Sequence, residues 1–88
     1  MLRAVTEEQA VTQALSAAAA SAPRVWEAYE GLVWLLARKP EIGVAIPNGS
    51  LSFFIFKQAG LPTAGTPTIS VLYTVETEFV RIRAIWIR

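Results

Sequence analysis

Alternation over the last twenty residues, Ile69 to Arg88, constrains this chain more than any other feature. With Glu76-Thr77-Glu78-Phe79 as a four-residue connection, the stretch reads as a β-hairpin with partners 75/80, 73/82, 71/84 and 69/86. That register puts Val75, Tyr73, Val71 and Ile69 on one side of the pleat with Val80, Ile82, Ala84 and Trp86. The other side collects Ser70, Leu72 and Thr74 with Arg81 and Arg83. A one-residue slip mixes the two sets, so the burial pattern selects the register. Arg81 and Arg83 are then expected to point together, ~7 Å apart, away from the core. In so apolar a chain, paired cations on a sheet face point to an anionic ligand.

Eighty-eight residues suit one domain, taken as 1–88. The chain has no Cys and no His, which excludes disulfides, thiol and imidazole catalysis and the usual zinc sites. No cofactor or metal is expected. Hydrophobic residues make up 53% against 17% charged, an excess that suggests apolar surface meeting a partner chain. The longest apolar run, Gly31 to Ala37, is far shorter than the ~20 residues a membrane span needs. The Ala-rich residues 10–22 follow Glu7 and Glu8 and no basic segment, so no signal peptide is expected and the cytoplasm is the default location. Five of the seven acids precede residue 42, whereas residues 79–88 hold Arg81, Arg83 and Arg88 with no acid. Such polarised charge suits phosphate contact at one site better than coating of a duplex.

Leu2 to Val5 reads as a short first strand. Thr6-Glu7-Glu8-Gln9 fits a capping box with Thr6 as N-cap. Ala10, Val11, Ala14, Leu15 and Ala18 repeat at helical spacing, predicting a helix to about Ala20. Ser21-Ala22-Pro23 breaks it and opens a second helix. Val25, Tyr29, Leu32, Val33 and Leu36 form that helix's apolar stripe, which ends near Arg38-Lys39 before Pro40. Trp26 and Trp34 lie off the stripe, and the short link predicts an αα-hairpin. Pro47-Asn48-Gly49 marks a turn, Leu51 to Lys57 a strand, and Gln58 to Pro67 a loop. The order is β-α-α-β-β-β: an α+β fold in which an antiparallel sheet carries the two-helix hairpin on one face.

This order resembles the RelE/ParE superfamily of toxins from bacterial toxin–antitoxin pairs. The resemblance is carried by Trp26-Glu27-Ala28-Tyr29 through Leu35-Leu36-Ala37-Arg38-Lys39-Pro40-Glu41-Ile42-Gly43, similar to the family's helix and basic-Pro-acidic-x-Gly segment. The aromatic-containing strand Ile69 to Val75 and the acidic turn before Val80 to Arg88 match its closing hairpin. The resemblance implies a cognate antitoxin partner and a homodimer or toxin–antitoxin hetero-oligomer. RelE-like members cut messenger RNA on the ribosome with Lys, Arg and Tyr side chains on the exposed sheet face. ParE-like members lack that set and poison DNA gyrase. A third alternative is a catalytically inert interaction module. The matching positions are Lys57 at the end of the second strand, Tyr73 on the third, Arg81 and Arg83 on the last, and Arg88 near its end. Two departures stand out. Ser70 occupies a position often held by arginine, and no C-terminal tail tyrosine follows Arg88 in these 88 residues.

RNA cleavage through the ribose 2′-hydroxyl needs a base, a cation for the phosphorane and an acid for the leaving oxygen. Arginine suits the second role, and Lys57 could act as a base only with its pKa lowered. Tyr73 is the only family-matched phenol, yet the register puts it on the apolar face, where a core aromatic is the plainer reading. For Arg81 and Arg83 the plainer reading is a solvated sheet face, for Arg88 a frayed end, and for Lys57 an ordinary strand-ending lysine. Arg88 shares parity with Trp86, so without a bulge it points away from the other two arginines. Trp26 and Trp34 suit either core packing or a partner. Glu27 and Glu30 read as a solvated helix edge, and Thr63 to Thr66 is too short for a phosphate loop.

Overall fold

The computed structural model describes residues 4–47 and 53–88. The chain runs β1 (Ala4–Glu7), α1 (Gln9–Ala18), α2 (Val25–Arg38), β2 (Val44–Ile46), β3 (Phe53–Gln58), β4 (Ile69–Val75) and β5 (Phe79–Ile87). A 3-10 turn at Pro62–Ala64 interrupts the loop between β3 and β4. The strands form one sheet in the order β1-β5-β4-β3-β2, with both helices packed on one face. The fold is α+β.

The expected antiparallel sheet is corrected to a mixed one. β1 lies parallel to β5, from Ala4 opposite Phe79 to Glu7 opposite Ile82, while all other neighbours are antiparallel. Parallel neighbours need a long connection, and here everything from α1 to β4 lies between them. A further short strand, β2, pairs Val44–Ile46 with Ile55–Phe53 and forms the far edge. The strand predicted from Leu51 begins among the described residues at Phe53, and most of the Pro47-Asn48-Gly49 turn lies outside them.

The capping box is also corrected. Thr6 and Glu7 belong to the parallel ladder, and the Glu8 amide extends it by donating to the Ile82 carbonyl at 3.1 Å. The N-cap of α1 is Glu8, with no side-chain cap. Sheet pairing of residues 4–7 outcompetes a local side-chain bond because the ladder satisfies backbone groups that would otherwise stand open along the β5 edge.

The helix periodicity predicts the core. Val11 and Leu15 of α1, and Val25, Tyr29, Leu32 and Leu36 of α2, are buried against Ile69, Val71 and Tyr73 of β4 and Val80 and Ile82 of β5. Phe54 and Phe56 of β3, with Ile85 and Ile87 of β5, pack around this cluster. Polar clips tie α2 to the sheet. The Tyr29 hydroxyl donates to Glu7 Oε2 at 3.0 Å, and Gln58 Nε2 donates to the Ala28 carbonyl at 2.8 Å. Burial, then the neighbouring Glu7 carboxylate, raise the Tyr29 pKa well above its usual value.

Candidate functional site on the open sheet face

The hairpin starts as its alternation predicts. Val75 faces Val80 and Tyr73 faces Ile82, and the Glu76 amide closes the turn on the Phe79 carbonyl at 2.8 Å. A β-bulge then shifts the pairing between Leu72 and Tyr73, so that Leu72 faces Ala84, Val71 faces Ile85, Ser70 faces Trp86 and Ile69 faces Ile87. One extra residue in β5 leaves Arg83 and Ala84 on the same side. Beyond it, Ile85 and Ile87 turn toward the helices and Trp86 turns away, 43% exposed. The pairings 71/84 and 69/86 are therefore replaced. The signal is legible in Val80-Arg-Ile-Arg-Ala-Ile-Trp-Ile: its branched apolar residues switch from even to odd positions across Arg83-Ala84.

The bulge changes which cations share a surface. Arg81 and Arg83 project from the face opposite the helices. Arg88 exchanges two backbone hydrogen bonds of 2.9 Å with Thr68. Alternation from Ile87 then places Arg88 on the outer face beside Trp86. Lys57 lies on this face too, because it pairs with Ser70 while its neighbours Phe56 and Gln58 face the helices. Lys57, Ser70 and Trp86 form one cross-strand row, with the lysine and tryptophan two strands or ~10 Å apart.

The cations fall into two groups. Arg81 and Arg83 sit at the hairpin end, level with Thr74, four residues or ~13 Å along the strand from the Lys57 row. Both are met by carboxylates. Arg83 Nη1 lies 3.0 Å from Glu8 Oε1, and Glu76 Oε2 lies 3.6 Å from Arg81 Nε and 3.9 Å from Arg83 Nη2. Arg83 Nε also donates to Thr74 Oγ1 at 3.3 Å, and Arg81 covers the Phe79 ring at 5.3 Å. Two carboxylates thus compensate two guanidinium groups. Among the described residues, Lys57 and Arg88 form no ion pair.

Tyr73 joins neither group. It is fully buried on the helix side, stacks on Phe54 at 5.5 Å, and its hydroxyl accepts from the Gly43 amide at 3.0 Å. Burial raises its pKa, an effect opposed by the Gly43 hydrogen bond and added to by Glu41. Gly43 permits this approach. A Cβ there would lie 2.7 Å from both the Tyr73 hydroxyl and the Ile55 carbonyl oxygen.

Apolar side chains occupy the rest of the open face. Val44 and Ile46 of β2, Phe53 and Ile55 of β3, and Leu72 of β4 share it by register, with Val44 74% exposed. The outer surface is a hydrophobic floor with cations at both ends. Its binding chemistry is apolar contact, stacking on Trp86 and charge pairing with Lys57 and Arg88. Sequence reasoning missed Trp86 as a surface group, and the carboxylates of Glu8 and Glu76 as partners of the arginines.

A second feature lies on the helix side. An apolar groove of about 340 Å³ runs between α2 and β1, walled by Val5, Tyr29, Val33 and Ala37 and rimmed by Trp26, Trp34, Glu7 and Glu30. Among the described residues, no cluster of potential metal ligands occurs, and no helix is long and apolar enough to cross a membrane.

No protein-family model, curated protein or solved structure matches this chain.

Proposed function

We propose that this chain is a RelE/ParE-like toxin of the cytoplasm, restrained by a cognate antitoxin, that inhibits translation by engaging messenger RNA at the ribosome through its open sheet face. The observation that carries this reading is the row Lys57, Ser70 and Trp86 with Arg88 beside it, where neither cation forms an ion pair among the described residues. An exposed indole stacks a base of any identity, and flanking cations take the adjoining phosphates. An acidic-aliphatic antitoxin segment would suit the same face, since its carboxylates meet the cations and its aliphatic side chains meet Val44, Ile55 and Leu72. The α+β class, with two helices on one face of a sheet, is compatible with this reading, although strand β2 is an addition to the expected order.

Binding is better provided for than bond cleavage. Lys57 and Arg88 can neutralise and orient a phosphate, but Tyr73 is spent in the core and no other phenol lies on this face. Arg81 and Arg83 would have to leave Glu8 and Glu76 to act as phosphorane donors. That shortage favours a second reading, a ParE-like, non-enzymatic gyrase poison. The test adds purified protein to a translation reaction and to a gyrase supercoiling assay. Loss of translation, relieved about tenfold or more by Lys57→Ala or Arg88→Ala and less by Arg81→Ala, supports the RNA reading. Normal translation with blocked supercoiling supports the second. Activity in neither assay rejects both.

A further inference from the structure

The exposed face of α2 is self-complementary. Trp26, Glu30, Trp34 and Arg38 recur every four residues along it, on the side away from the buried stripe of Val25, Tyr29, Leu32 and Leu36. Trp34 is 59% exposed, although a large aromatic ring so placed gains most by being covered. Arg38 lies over its ring, 4.0 Å from the centroid. A guanidinium stacked in this way keeps its in-plane N–H groups available for a carboxylate. Glu30 has no basic partner among the described residues. It lies on the same row, two helical turns or ~12 Å before Arg38. That distance is too long for a pair within one helix and suits a pair between two.

We propose that α2 is a homodimer contact, formed by a second copy of this chain packed antiparallel with Trp34 on the two-fold axis. Antiparallel pairing about Trp34 sets position 30 of one copy opposite position 38 of the other, ~6 Å on either side of the axis. The contact then contains two Glu30–Arg38 pairs related by symmetry, as an isologous interface requires. Each Trp34 meets its symmetry mate, and the indoles close over the Val33 and Ala37 wall of the groove beside β1. The charge order decides the occupant. Acid in the first half of the helix and base at its end make α2 complementary to itself when reversed. α2 is ~21 Å long, so the contact is smaller than the ~800 Å² per partner of a standard interface. Association is therefore weak and dependent on concentration. The open sheet face lies on the other side of the molecule, so this inference is independent of the RNA reading.

Sedimentation velocity of the purified full chain, over a wide concentration range, tests it. The expected result is a monomer–dimer equilibrium. Trp34→Ala should weaken it roughly 10- to 30-fold. Glu30→Arg and Arg38→Glu should each weaken it about tenfold, by placing like charges opposite one another. The double variant Glu30→Arg/Arg38→Glu should recover dimerisation, because the pairs re-form with their signs exchanged. Circular dichroism confirms that each variant is folded, since all three positions are exposed. A wild-type chain that stays monomeric at every concentration overturns the proposal. So does a dimer indifferent to Trp34→Ala, or a double variant as weak as either single one.

Discussion

Removing one oxygen from the core tests how this fold uses its buried tyrosine. In Tyr73→Phe the ring remains on Phe54, but the Gly43 amide loses the acceptor it meets at 3.0 Å. An amide left without a partner in a dry site costs about 1–3 kcal/mol. Gly43 is only partly buried, so water can recover some of that, and the expected loss is about 1–2 kcal/mol. For a chain of this size each kcal/mol lowers Tm by roughly 4–8 °C, which gives a fall of roughly 5–15 °C. Urea unfolding followed by circular dichroism should show a lower midpoint with an unchanged slope. Folded Tyr73→Phe protein should block translation as well as the wild type. A midpoint equal to wild type would show that the hydroxyl carries no structural bond. A loss of activity of about a hundredfold or more in folded protein would assign the phenol to the chemistry and refute its place in the core.

The two tyrosines should make the protein sensitive to alkali. Both phenols are held neutral in the folded chain, mainly by burial, while in the unfolded chain they ionise near pH 10. The tyrosines' contribution to stability is therefore constant below about pH 10 and falls as pH rises above it, by up to about 1.4 kcal/mol per pH unit for each tyrosine. Urea titrations at increasing pH should show this slope, reduced in Tyr29→Phe. Gly43→Ala should destabilise by about 1–3 kcal/mol, because the new methyl meets the Ile55 carbonyl oxygen as well as the Tyr73 hydroxyl. Since a backbone atom takes part in that clash, Tyr73→Phe should relieve it only in part in a double-mutant cycle. Glu8→Gln should cost at most about 1 kcal/mol, because its bridge to Arg83 is partly solvated, and the cost should shrink in high salt.

The helices and the central hairpin were legible because their evidence is local. Val25, Tyr29, Leu32 and Leu36 declare a buried stripe by spacing alone, and the alternation Ile69, Val71, Tyr73 can have only one face inward. The four-residue turn follows from the same pattern. The face occupied by Arg81 and Arg83 also follows from alternation up to the bulge. Thr6 misled because a capping box and a strand end draw on the same few residues. The choice between them rests on β5, more than seventy residues away.

What the sequence determined by itself was the buried side of α1, α2 and β4, and of β5 as far as Arg83. It could not say which surfaces would meet, because that depends on pairing between residues distant in the chain. Tertiary structure placed β1 parallel against β5, inserted the bulge that turns Trp86 and Arg88 outward, and brought Glu8 and Glu76 to the arginine pair. The reason is energetic. Alternation and helical period are enforced residue by residue through burial, whereas one extra residue in a ladder costs little locally. That residue is accepted when it lets Ile85 and Ile87 reach the core.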